Sequence, residues 1–199
     1  MTSPPIIAPI VEGHGEVKAV PELISRISLE FLGEWIQVAQ PFRVDSGKMR
    51  HPHELARAIR VQATRVQGRG GVLVLRDGDD SDVDCPVELA RALHPGRELV
   101  PVSIEVVIAF HEYEARFLAA VDSLAPHSAV RNDAKTPASP EGKRNAKKEL
   151  ERMMHESYHE TRHQVKFSAI MDLKAAERNS RSFRRMVHAV RLLASSTAG

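Results

Sequence analysis

Three apolar runs punctuate the first 110 residues, and each stops at acidic side chains. Ile6 to Val11 ends at Glu12-Gly13-His14-Gly15-Glu16. Val72 to Leu75 breaks into five aspartates within eight residues, Asp77 to Asp84. Val102 to Phe110 ends at His111-Glu112-Tyr113-Glu114. Runs of this length bounded by turn signals predict buried strands. Between them the period becomes helical. Val20, Ile24, Ile27 and Phe31 recur at spacings of four, three and four, with Pro21 bending or delaying the first turn. Trp35 to Phe42 alternates imperfectly and predicts another strand. Pro52 to Gln67 predicts a helix with Leu55, Ile59, Gln62 and Val66 inwards, closed by the turn Gly68-Arg69-Gly70-Gly71. Val83 to Leu93 and Ala115 to Val121 predict two more helices. Strands alternating with helices indicate an α/β fold, a Rossmann-like parallel sheet flanked by helices with acids along one edge.

The pattern then changes. Asp122 to Pro140 is rich in Pro, Ser, Ala and Asn and predicts a long loop. Beyond it the spacing predicts helices over 142–154, 166–176 and 182–194. In the last of these Phe183, Met186 or Val187, Val190 and Leu193 form the buried stripe, with Arg181, Arg184, His188 and Arg191 on another face. The expected organisation is an α/β core over residues 1–125, a linker over 126–140 and a basic helical extension over 141–199 packed on the core.

Composition narrows the class. A chain of 199 residues with 42% hydrophobic positions can bury one proper core. No apolar run approaches the roughly 20 residues that span a bilayer, and the N-terminus lacks a signal-peptide pattern, so a soluble cytoplasmic protein is expected. The single cysteine, Cys85, excludes an internal disulfide and a cysteine-based zinc cluster. Net charge is +2, but residues 141–191 carry thirteen Lys/Arg against seven Asp/Glu, or +6, leaving −4 elsewhere. An acidic front and a basic back suit a metal site beside a polyanion-binding surface.

The acids are the candidate chemistry, because ligands of open α/β sheets gather outside the carboxyl ends of the strands. Two carboxylates about 4 Å apart repel by roughly 4 kcal/mol at an effective dielectric of 20, so a cation would relieve the Asp77 cluster. An EF-hand is excluded, since position six counted from Asp77 is Asp82 where glycine is required, and Pro86 interrupts the loop. The Gly13-His14-Gly15 turn lacks the third glycine of a dinucleotide fingerprint. His51 and His53 fit a turn leading into a helix better than a ligand pair. Oxygen-only ligands favour Mg²⁺ or Mn²⁺.

Val11-Glu12-Gly13 with Glu16, the Asp77-Gly78-Asp79-Asp80 loop, Glu112-Tyr113-Glu114-Ala115 followed by Phe117-Leu118, and Ser182-Phe183 together resemble the Toprim fold of topoisomerases, primases and overcoming-lysogenization-defect nucleases. More closely, they are similar to the Toprim-like domain of unknown function 4276. His14-Gly15 and Arg116 depart from that family's usual pattern. The resemblance implies metal-dependent phosphoryl transfer, with Asp77 and Asp79 as metal ligands and Glu12 as ligand or general acid/base. Glu114, helped by Glu112, would complete a second metal position. Lys48, Lys143, Arg144, Lys147, Lys166, Arg181 and Arg184 are the candidate nucleic-acid contacts, with DNA preferred to RNA. The expected activity is a Mg²⁺- or Mn²⁺-dependent nuclease working with an ATPase partner in a defence or mobile-element system. The alternative is a non-catalytic nucleic-acid-binding or accessory subunit of an ATPase complex. A homodimer is compatible with either. A topoisomerase is disfavoured, because the chain lacks room for a strand-passage gate.

Overall fold

Ile6–Val11 forms the central strand β1, and every other strand pairs with it or with its neighbour. The computed structural model describes residues 3–78, 85–96, 98–142 and 144–197. Strands β2 (Gln37–Val38), β3 (Phe42–Arg43), β4 (Gly70–Asp77) and β5 (Ser103–Ala109) complete a parallel sheet in the order β2-β1-β4-β5, with β3 also on β1. Ile10 lies opposite Val74, and Asp77 opposite Ala109, so the carboxyl ends of these strands open on one edge.

Both faces of the sheet are covered, which is why its strands read as continuous apolar runs rather than alternating ones. Leu73, Leu75 and Val107 face one core, built with helices α1 (Glu16–Ile27), α5 (Ala115–Leu118), α7 (Glu160–Ile170), α8 (Leu173–Asn179) and α9 (Arg181–Ser195). Val72, Val74, Val106 and Ile108 face the other, beneath α3 (Pro52–Ala63) and α4 (Pro86–Leu93). Two short helices, α2 (Ser46–Met49) and α6 (Ala146–Arg152), flank the acidic edge. In α9 the expected stripe holds: Phe183, Met186, Val187, Val190 and Leu193 are buried.

Several element boundaries differ from those expected. The strand predicted over 35–42 is two two-residue strands, β2 and β3. Pro41 between them has no N–H to give the sheet, and Trp35 is 58% exposed. Pro21 does not delay α1, which begins at Glu16 and carries the proline inside before ending in a π turn over Ser28–Leu32. The helix predicted over 166–176 is two helices, α7 and α8. They part at Met171, whose backbone is extended, and Asp172 caps α8 by accepting from the Ala175 N–H at 2.9 Å. The helix predicted over 142–154 is shorter, since α6 covers only Ala146–Arg152. Within residues 126–140, Ala129, Val130 and Ala134 are buried, and Val130 pairs with Met154.

Candidate functional site

The two turns that end β1 and β4 fold onto each other through carboxylates. Glu12 Oε2 accepts from the Asp77 N–H at 3.3 Å, holding the end of β4 against the end of β1. Glu16, in the first turn of α1, reaches back so that its Oε2 accepts from the Glu12 N–H at 3.3 Å. Arg43, ending β3, donates to the Glu12 carbonyl at 3.3 Å. At the end of β5, His111 adopts a left-handed conformation (φ 69°), and its carbonyl accepts from the Gly78 N–H at 2.9 Å. A side chain at Gly78 would press on the Ala109 carbonyl at 2.8 Å, so only glycine lets β4 and β5 close here.

These turns line a cavity of about 180 Å³ with Glu12, Glu16, Asp45, Asp77 and Lys147 on its walls. Glu114 lies behind it, fully buried. Its Oε1 accepts from the Tyr158 hydroxyl and from Gln164 Nε2, both at 2.8 Å. Its Oε2 is buried with no hydrogen-bond partner among the described residues. Glu112, also buried, accepts from the Lys147 N–H at 2.9 Å and so anchors the start of α6 at the site. The Lys147 ammonium pairs with Glu160 at 2.6 Å.

The electrostatics are those of crowded acids. Burial pushes Glu16 up to about 7, with the Arg116 guanidinium pulling it down and Glu12 and Glu114 adding to the rise. Asp77 is held well above the usual carboxylate range, first by desolvation and then by Glu16, Glu114 and Glu12. Glu114 is raised by burial, offset in part by Lys147, Gln164 and Tyr158. Burial alone would lower the Lys147 ammonium, but Glu114 and Glu160 outweigh it and hold the group above its ordinary value. Arg116 is buried with its guanidinium 4.5 Å from the centre of the Tyr113 ring, a cation–π contact. Its Nε and one terminal nitrogen lack hydrogen-bond partners among the described residues. Arg116 is thus an internal countercharge to the acids.

Not every candidate gathers here. Asp79 and Lys143 lie outside the described residues. Lys48 is exposed on α2, whose first residue, Ser46, lines the cavity. Arg144 is exposed just before α6, and Lys166 is exposed on α7. Arg184 donates to the Glu177 and Arg178 carbonyls at 2.7 and 2.9 Å, and Arg181 lines a different cleft. Of the basic candidates in the described residues, Lys147 is the one that lines the acidic cavity.

Sequence reasoning passed over Asp45, Ser46, Tyr158, Glu160 and Gln164. Asp45 and Ser46 follow β3, so the rule that found Glu12 and Asp77 at strand ends would have found them had the second apolar run been divided. Tyr158, Glu160 and Gln164 reach the site only because α7 docks on α1, and nothing local in the sequence reports that.

The model of a family described as "Domain of unknown function (DUF4276)" matches residues 11–191. The chain belongs to the DUF4276 family. The match begins at the last residue of β1, just before Glu12, and ends within α9, so the acidic edge and the helices behind it all lie inside the DUF4276 region. No curated protein and no solved structure matches the chain.

A divalent cation suits the donor chemistry of this DUF4276 site. The donors are oxygen-only, the Glu16 and Asp77 carboxyls are raised first by burial and then by the neighbouring acids, and Glu114 Oε2 is left without a partner among the described residues. Among the described residues no group of three or more His, Cys, Asp or Glu side chains is gathered closely enough to hold an ion on its own. No helix among the described residues is long and apolar enough to cross a membrane.

Proposed function

We propose that this DUF4276 protein is a Mg²⁺- or Mn²⁺-dependent phosphodiesterase acting on nucleic acid, of Toprim type. The observation that carries the reading is the convergence of Glu12, Glu16 and Asp77 with Lys147 in one cavity at the carboxyl edge of a parallel sheet. Glu12, Asp77 and Asp79 would hold the cation, with Glu114 behind them. A cation so held supplies Lewis-acid stabilisation of charge on the phosphoryl group.

The protein's own residues do the rest. Lys147, kept protonated by Glu114 and Glu160, presents a positive charge beside the acids and would hold a phosphate oxygen. Glu114 keeps Lys147 in place by charge, and is itself oriented by Tyr158 and Gln164. If it is not a ligand, Glu12, clamped to the Asp77 backbone, would be the base that accepts a proton from an attacking water. Arg116 limits the repulsion among the carboxylates from beneath.

Incubation of the purified protein with linear, nicked and single-stranded DNA and with RNA, in Mg²⁺ and in Mn²⁺, tests this. Cleavage is expected in the wild type, lost in Asp77→Ala and reduced in Lys147→Met. Cleavage undiminished in Asp77→Ala would refute the assignment. Absence of cleavage by the chain alone, with activity restored by an ATPase partner, would favour the accessory-subunit reading.

A further inference from the structure

A second cleft, about 950 Å³, runs along the outer edge of β5, away from the acidic cavity. β5 is the terminal strand of the sheet and pairs with β4 alone among the described residues. The Ile104 carbonyl points away from β4, because it lies 3.1 Å from His94 Nε2. Backbone groups alternate sides along a strand, so Val106 and Ile108 turn theirs to the same outer side. Sequence Ser103–Ala109 contains neither the lysine nor the proline that commonly guards an exposed edge. Among the described residues, no strand pairs with this edge where the cleft begins.

The walls of the cleft fit an extended chain. Phe110, 36% exposed, and Val87 of α4, 56% exposed, present an apolar strip above the nearly covered side chains of Val106 and Ile108. Arg91, Arg181 and Arg185 rim the cleft. Arg185 is paired with Glu105, whereas the guanidiniums of Arg91 and Arg181 have no ion-pair partner among the described residues. The helix end at the rim is already satisfied. Glu141 accepts from the Arg181 and Ser182 N–H groups, each at 2.9 Å, and from the Ser180 and Ser182 hydroxyls. Two arginines without an ion-pair partner among the described residues, over an apolar strip and a strand edge unpaired among those residues, suit an occupant with backbone, apolar side chains and negative charge.

We propose that β5 is a docking edge for an extended acidic segment of a partner protein, which adds to the sheet as a sixth strand. Main-chain hydrogen bonds to Val106 and Ile108 would give affinity, alternate apolar side chains would cover the strip, and acidic residues would meet Arg91 and Arg181. A second copy docking by the same edge fits less well, because an isologous contact sets the positive rim against itself. Nucleic acid would match the arginines but not the apolar floor. This site does not depend on the chemistry at the acidic cavity.

Panning a displayed library of random dodecapeptides on the full-length protein tests the proposal without presupposing a sequence. Enriched peptides should lack central proline, alternate Val, Ile or Phe with other residues, and carry two or more Asp or Glu. An enriched peptide, made synthetically and labelled, should bind the Arg91→Glu/Arg181→Glu variant at least about tenfold more weakly, and a central proline in the peptide should abolish binding. Both substitutions are on the surface, and circular dichroism checks the fold. No enrichment, or enriched peptides that tolerate central proline or lack acids, would overturn the proposal. So would a single-stranded oligonucleotide that displaces the peptide, or a dimer abolished by Val87→Lys, a substitution at an exposed position.

Discussion

Glu16 and Asp77 are carboxyls whose surroundings favour the protonated form, and this has a consequence for stability. Glu16 is raised by burial from its ordinary 4.5 to about 7, so the folded state holds a proton that the unfolded chain releases earlier. That contribution is fully present below about pH 4.5 and is lost as pH rises through 7. For one group the difference is on the order of 3 kcal/mol, and Asp77 acts in the same direction. The melting temperature of the metal-free protein should therefore fall between pH 5.5 and pH 8. Mn²⁺ should restore it at pH 8 and do little at pH 5.5, where protons already neutralise the cluster. Equal effects of Mn²⁺ at both values would contradict this account. Arg116 is buried beneath these acids with its guanidinium against Tyr113. Arg116→Met should cost about 3–5 kcal/mol in urea unfolding at pH 8, and less at pH 5.5 where Glu16 is protonated.

At the scale of elements, the site depends on how closely α7 approaches the first turn of α1. A methyl group on Gly15 would collide with Gln164 Oε1 and with the Glu160 backbone. Gly15 has an ordinary helical φ of −66°, so the glycine serves the approach and not the turn's conformation. Gly15→Ala should push α7 outward, loosen Gln164 from Glu114 and destabilise the protein by about 1–3 kcal/mol. Urea denaturation measures the cost, and an unchanged midpoint would show that α7 yields freely. The same docking marks where sequence reasoning ran out. β1, β4 and β5 were legible because apolar runs ending in acids carry their own boundaries. The division at Met171 and the split strand around Pro41 depend on local capping and a missing donor, which a periodic stripe blurs. Gln164 and Tyr158 were beyond reach, since their roles exist only once α7 lies on α1.

At the scale of the molecule, the charge asymmetry in the sequence resolves into two distinct places. Lys147 carries the basic tail to the acids at the carboxyl edge, while Arg181 belongs to the cleft beside β5. Family membership covers nearly the whole described fold, from the end of β1 into α9. The account rests on the carboxylates of the first of these places closing on a divalent ion. Electron paramagnetic resonance of Mn²⁺ titrated with protein at pH 8 measures that directly, because bound Mn²⁺ loses the signal of the free ion. Loss of an outer-shell partner alone typically costs about 10–100-fold in metal affinity, so Asp77→Asn should weaken binding by at least that much. Glu88→Gln, on the surface of α4, should bind as the wild type does. Saturable binding that Asp77→Asn destroys is the predicted result; no binding at millimolar Mn²⁺, or equal binding by Asp77→Asn, would contradict it.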